Sequence, residues 1–227
     1  MRGAVATPAV DVYDRRLRPS GWWFDALLIA AFAAITAALA AGWLYGLDNA
    51  IYEWCTTHQP AVPNWTAKVL NFLGNGGPLT GLCGLIALVL AVKRRTVRPV
   101  LLVATAFVLT VVLTMPLKIW TERAAPSSET PSKVEIFNSA LPPLEYATSY
   151  PSGHLVNTIV WYGVLAVLLA PWLNRTARLW LRIAPPAIVF VTTIYLDYHW
   201  FTDSVAGVLL GVFIDRVLTR IPWGVWR

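Results

Sequence analysis

Residues 99–117 read PVLLVATAFVLTVVLTMPL, nineteen positions without a charged side chain, bounded by Arg98 and Lys118. A helix rises about 1.5 Å per residue, so this stretch comes close to crossing the ~30 Å hydrocarbon layer of a bilayer. Working outward, further apolar runs occupy 22–44, 78–92, 155–173, 180–195 and 204–218. A spanning helix takes roughly 17–25 residues. Runs 78–92 and 204–218 fall short alone and gain length from 73–77 and 201–203. No internal repeat or low-complexity tract interrupts the series. The sequence therefore predicts an all-α fold. It would be a polytopic membrane protein, a bundle of six transmembrane helices, forming one membrane domain over 1–227.

Composition agrees. Of the 227 residues, 57% are hydrophobic and 13% charged, against roughly 25% charged in a soluble domain. That balance excludes a soluble domain and a disordered tail. It also excludes a nucleic-acid-binding module with a water-facing basic surface.

The net charge of +6 becomes informative when sorted by side. With the N-terminus inside and alternating runs, the inner segments hold 14 of the 18 Lys and Arg. Only Lys68, Lys118, Arg123 and Lys133 lie outside. This obeys the positive-inside rule and predicts both termini in the cytosol. Eight of the twelve acidic residues fall outside. Most Trp lie near run ends, as an interfacial belt requires; Trp161 is a mid-run exception. Asp25 lies near the start of its run, close enough to the interface to be wet.

Segment 1–21 reads as a cytosolic tail, since no small-residue cleavage site follows a short apolar core. Segment 45–77 is an outer segment broken by Pro60 and Pro63. Within it Trp65, Val69, Phe72 and Leu73 recur at helical spacing, which suits short interfacial helices; an ordinary outer loop accounts for the pattern equally well. Segment 124–150, rich in Pro and Ser, reads as a loop over the outer face. Cys55 and Cys83 have neither disulfide-framework nor metal-site spacing and are expected free.

Three polar groups fall on one face under this topology. Lys118-Ile-Trp-Thr-Glu-Arg123-Ala-Ala-Pro126 leaves the third run, Tyr150-Pro151-Ser152-Gly153-His154 enters the fourth, and His199-Trp-Phe-Thr-Asp203 joins the fifth and sixth. Ser152 either only caps a helix or belongs to an anion site. In the second case free backbone N–H groups face the anion, Gly153 permits close approach, and His154 stands by as proton donor. His199 and Asp203, four apart, share a helix face. They form either a helix-end ion pair or an imidazole prepared by a carboxylate as nucleophile or base. Lys118 and Arg123 are either interfacial cations or a phosphate clamp. His58 reads as a solvated side chain.

Taken in order, these groups resemble the type 2 phosphatidic acid phosphatase superfamily of integral membrane lipid phosphatases. That family carries Lys-x6-Arg-Pro, then Pro-Ser-Gly-His, then Ser-Arg-x5-His-x3-Asp on a six-helix bundle. Lys118, Pro126, residues 151–154, His199 and Asp203 match. Ala125 stands in place of the first-motif Arg, and Thr192-Thr193 in place of Ser-Arg. The resemblance implies that His199 attacks phosphorus to give a phosphohistidine, Asp203 orients it, and His154 protonates the leaving group. It further implies that Lys118, Ser152 and the Gly153 backbone hold the phosphate. Arg123 and Lys133 are the candidates to replace the absent arginines. No metal or other cofactor and no nucleic-acid partner is implied. The expected substrate is a phosphorylated lipid, an isoprenoid phosphate or glycerophospholipid, met at the extracytoplasmic face of the cell membrane. A lipid phosphotransferase and a catalytically silent binding protein of the same fold stay open at this point.

Overall fold

The computed structural model describes residues 19, 21–138 and 148–223. Helices stand on all six apolar runs: α1 (Trp23–Ala40), α4 (Gly76–Arg94), α5 (Arg98–Thr121), α6 (Gly153–Leu168), α7 (Arg175–Tyr195) and α8 (Phe201–Arg220). Two further helices, α2 (Tyr45–Thr57) and α3 (Ala61–Asn71), fill the outer segment, and a 3-10 turn (Phe72–Gly74) leads into α4. Among the described residues there is no strand, only an isolated bridge between Arg123 and Thr148.

Four of these helices, α1, α4, α5 and α7, are long and apolar enough to cross a membrane. They present apolar side chains outward: Leu101, Phe107, Val108, Val112 and Ile119 of α5 are all exposed. In lipid such a face costs nothing. α6 has 16 residues, and α8 carries Asp203, Asp215, Arg216 and Arg220. The packing explains why these two depart from the pattern. α6 touches α4, α5, α7 and α8, and α8 packs in turn on α1. Along α6 the run Val160–Leu168 is buried throughout. Gly207 of α8 permits a close approach, because a Cβ there would lie 2.7 Å from the Ser152 carbonyl oxygen. This places the start of α6 directly against the start of α8.

Several expectations change in detail. The run 22–44 stops being helical at Ala40, and Gly42 takes a φ of +76° before α2 begins. The fifth run starts earlier, at Arg175, where the Asn174 side chain accepts a bond from the Ala177 N–H at 2.8 Å and caps α7. Asp25 is not wet. It is 2% exposed and is held by Arg216 at 2.9 Å and by Arg220. The segment after α1 is helical on both sides of Pro60, and Trp65, Val69 and Phe72 are exposed. Cys55 and Cys83 are free and buried, and His58 is exposed. Trp161 is buried and donates to Asn157 Oδ1 at 3.2 Å, so this exception to the belt is a core residue.

Candidate active site

The site forms where the end of α5 and the starts of α4, α6 and α8 meet. A cavity of about 430 Å3 opens there. Its walls include Lys118, Gly153, His154 and His199, which sequence separates by up to 81 positions.

Asp203, in the first turn of α8, is fully buried. Its Oδ1 accepts from Arg123 Nη1 at 2.6 Å. Its Oδ2 accepts from Ser149 Oγ at 2.6 Å and from the Trp200 backbone N–H at 3.0 Å. His199 Nδ1 lies 3.7 Å from the same oxygen, beyond hydrogen-bonding distance. Its nearer neighbour is Ser149 Oγ, at 3.1 Å. Since the Ser149 hydroxyl donates its proton to Asp203, it accepts from His199, so Nδ1 carries the ring hydrogen. The carboxylate thus fixes the imidazole tautomer through a serine. His199 Nε2 is left with its lone pair facing His154 Nδ1 at 3.3 Å. Burial pushes the His199 imidazole below its ordinary value, against the opposing pull of Asp203, which favours the neutral form.

Arg123 takes a place different from the expected one. Its side chain has no solvent exposure, and it does not line the cavity. Nη1 donates to Asp203 and to Thr202 Oγ1 (2.8 Å), Nη2 to Asp48 Oδ2 (2.6 Å), and Nε to the Val134 carbonyl (3.0 Å). With these donors engaged, Arg123 is a strut that holds two buried carboxylates and has no fork free for a phosphate. Lys133 also points elsewhere: its Nζ donates to the Pro126 carbonyl and to Tyr52 Oη and sits 4.5 Å from the Tyr52 ring centroid. Neither side chain lines the cavity. Ser152 is fully buried, and its Oγ accepts from the Leu155 N–H at 3.4 Å, which is the capping role. Lys118 does line the cavity, with its Nζ donating to the Thr148 carbonyl. Asp197 turns away to Gln59, whose Nε2 reaches its Oδ2 at 3.1 Å.

The structure adds groups that sequence reasoning missed. Asp48 of α2 accepts from the Thr202 backbone N–H (3.0 Å) and Oγ1 (2.6 Å) as well as from Arg123, and burial raises its pKa. Gly74, Asn75 and Gly76 form one cavity wall. A Cβ on Gly76 would lie 2.6 Å from Asn157 Nδ2, and one on Gly74 3.3 Å from the His154 ring, so this wall approaches α6 only as glycine. Two helix starts, Gly76 of α4 and Gly153 of α6, therefore face the same space. Each brings unpaired N–H groups and the positive end of a helix dipole. Trp161 donates to the Asn157 side-chain oxygen, and Asn157 lines the cavity. The Gly-Asn-Gly-Gly punctuation at 74–77 was the available signal for that wall.

The family's absent arginines also find their places. Ala125 lines the cavity. Thr193 is buried and donates to Asn71 Oδ1 at 2.7 Å, with Thr192 on the same oxygen at 3.1 Å.

The helices thus bring two facing histidines, with a buried aspartate behind them, to one cavity at an end of a bundle of apolar helices. The PAP2 superfamily model matches residues 99–227, more than half of the chain, and the chain belongs to that superfamily. A comparison with curated proteins found no match. Among solved structures, the chain is similar to the first transmembrane PAP2 type phosphatidylglycerolphosphate phosphatase from Bacillus subtilis. The TM-score is 0.71 at 23% identity, covering 86% of this chain and 93% of that one. That likeness establishes the shared fold.

Proposed function

We propose that this protein is a membrane phosphatase of phosphorylated lipids working through a phosphohistidine on His199. The observation that carries it is the arrangement of His199: Nδ1 tied through Ser149 to Asp203, and Nε2 facing His154 at the cavity. The Nε2 lone pair attacks phosphorus as the bond to the lipid oxygen breaks. His154 supplies the proton that turns that oxygen into an alcohol. Water then attacks phosphorus and gives its proton to His154. Inorganic phosphate leaves and Nε2 recovers its lone pair. Asp203 stabilises the charge that develops on His199, and Arg123 and Asp48 hold Asp203 in place.

Phosphate binding falls to Lys118, the N–H groups at Gly153 and Gly76, and the Asn157 amide. Each charge-assisted hydrogen bond is worth about 1.5–3 kcal/mol, so this set replaces the clamp that the missing arginines would supply. The charge bias between the two ends of the helices supports an extracytoplasmic site on a six-helix bundle with cytosolic termini, the outer loop 124–150 lying above it. Of that loop, 139–147 fall outside the described residues.

The test is phosphate release by purified protein from a panel of isoprenoid phosphates and glycerophospholipid phosphates. Phosphatidylglycerol phosphate belongs in it because the similar Bacillus subtilis structure is of a phosphatase for that lipid. Release by the wild type, lost in both His199→Ala and His154→Ala, supports the reading. Undiminished release in those variants overturns it. Transfer of the phosphoryl group to an added alcohol with no free phosphate would instead mark a phosphotransferase.

A further inference from the structure

The end of the bundle opposite the histidines holds a second cavity, of about 340 Å3, among α6, α7 and α8. Arg175, Arg178, Arg182 and Arg216 line it, and Asp215 is the one acidic residue among its lining residues. The charges do not cancel. Arg182 is paired with Asp215 at 2.8 Å, and Arg216 with Asp25 at 2.9 Å. Arg175 and Arg178 have no acidic partner among the described residues, and Arg178 Nε is buried without a hydrogen bond. Both arginines lie in the first turn of α7, where the helix dipole disfavours cations and favours an anion. The rest of the lining is largely apolar, with Leu179 prominent. Trp172, four residues past the end of α6, and Trp180, in the second turn of α7, are both exposed, as an interfacial belt requires.

A basic mouth over an apolar wall at that depth is the pattern of a headgroup site between helices. We propose that this cavity binds the phosphate of an anionic phospholipid from the leaflet opposite the histidine site, with Arg175 and Arg178 as its ligands and the acyl chains against the apolar wall. It is separate from the substrate cavity, and the proposal stands whether or not the catalytic reading does.

Native mass spectrometry of the full chain in neutral detergent tests it. Phosphatidylglycerol and phosphatidylcholine serve as probes, on a His199→Asn background that prevents turnover. Phosphatidylglycerol should bind more tightly than phosphatidylcholine. Arg175→Gln with Arg178→Gln should weaken phosphatidylglycerol by about 30-fold and leave phosphatidylcholine unchanged. Arg175→Gln alone, at an exposed position that leaves the fold undisturbed, should move affinity the same way by less. Millimolar inorganic phosphate should not displace the lipid. Equal binding of the two lipids, an unchanged affinity in both variants, or full displacement by inorganic phosphate overturns the proposal; the last would make it a site for a free anion.

Discussion

Arg123 Nη1 lies 2.6 Å from Asp203 Oδ1, and neither side chain has any solvent exposure. The same guanidinium reaches Asp48 at 2.6 Å, so one cation serves two buried carboxylates. Removing it leaves both charges in a medium that solvates them poorly. Breaking a buried pair this way costs about 3–5 kcal/mol. Arg123→Ala is therefore expected to lower the melting temperature sharply, and Arg123→Lys to recover only part, because an ammonium cannot fork to two carboxylates. Thermal unfolding of purified protein checks this. A fully stable Arg123→Ala with only a raised KM would return Arg123 to the phosphate site.

The serine between His199 and Asp203 gives a second prediction. Ser149 Oγ is 3.1 Å from His199 Nδ1 and 2.6 Å from Asp203 Oδ2. Without its hydroxyl the imidazole loses its link to the carboxylate. Ser149→Ala should lower kcat by about 10- to 100-fold, the effect of one hydrogen bond to a charged group. KM should change little, and Ser149→Thr, which keeps the hydroxyl, should rescue. Steady-state kinetics on the three proteins decides it; a full-rate Ser149→Ala would mean that His199 contacts Asp203 directly during turnover.

Much of this site was legible in sequence, and what was missed has a physical reason. Lys118, His154, His199 and Asp203 announced themselves because charged and imidazole side chains are rare at the ends of apolar runs, Gly153 came with the Pro-Ser-Gly-His run, and all three groups fell on one face. The role of Arg123 was not legible. Its partner Asp48 is 75 positions away on a helix read only as an outer segment, and a cation beside a motif looks the same in sequence whether it meets a substrate or a buried carboxylate. The Gly74–Gly76 wall was hidden for a similar reason: its glycines matter only through their approach to Asn157 and His154. The helices were legible from apolar length. The interior position of α6 and α8 came only with packing.

The protonation of His199 predicts a pH dependence. Burial holds its folded-state pKa below the ordinary histidine value. The acid limb of kcat/KM should therefore lie below the ordinary histidine range, at less than about pH 6.5. Stability follows the same sign. Between the depressed folded value and the unfolded one, the unfolded chain binds the proton and the native site does not. The contribution is thus fully present above about pH 6.5 and is lost as pH falls through the folded value. Melting curves across that window should flatten in His199→Asn. An acid limb above the ordinary range would contradict the neutral-nucleophile assignment.

Two lysines that looked alike in sequence now separate. Lys118 lines the cavity beside Gly153 and His154. Lys133 is held outside it by Tyr52 and Pro126. A phosphate in the cavity would draw on the Lys118 charge and not on that of Lys133. Lys118→Ala should lower kcat/KM by about 10- to 100-fold, the loss of one charge-assisted bond. Lys133→Ala should leave kcat/KM nearly unchanged and cost about 0.5–1 kcal/mol of stability through the lost contact with the Tyr52 ring. Phosphate-release kinetics and thermal unfolding of the two variants measure both effects. Equal losses of kcat/KM would show that the outer loop carries Lys133 into the site when substrate binds, and would restore it to the clamp.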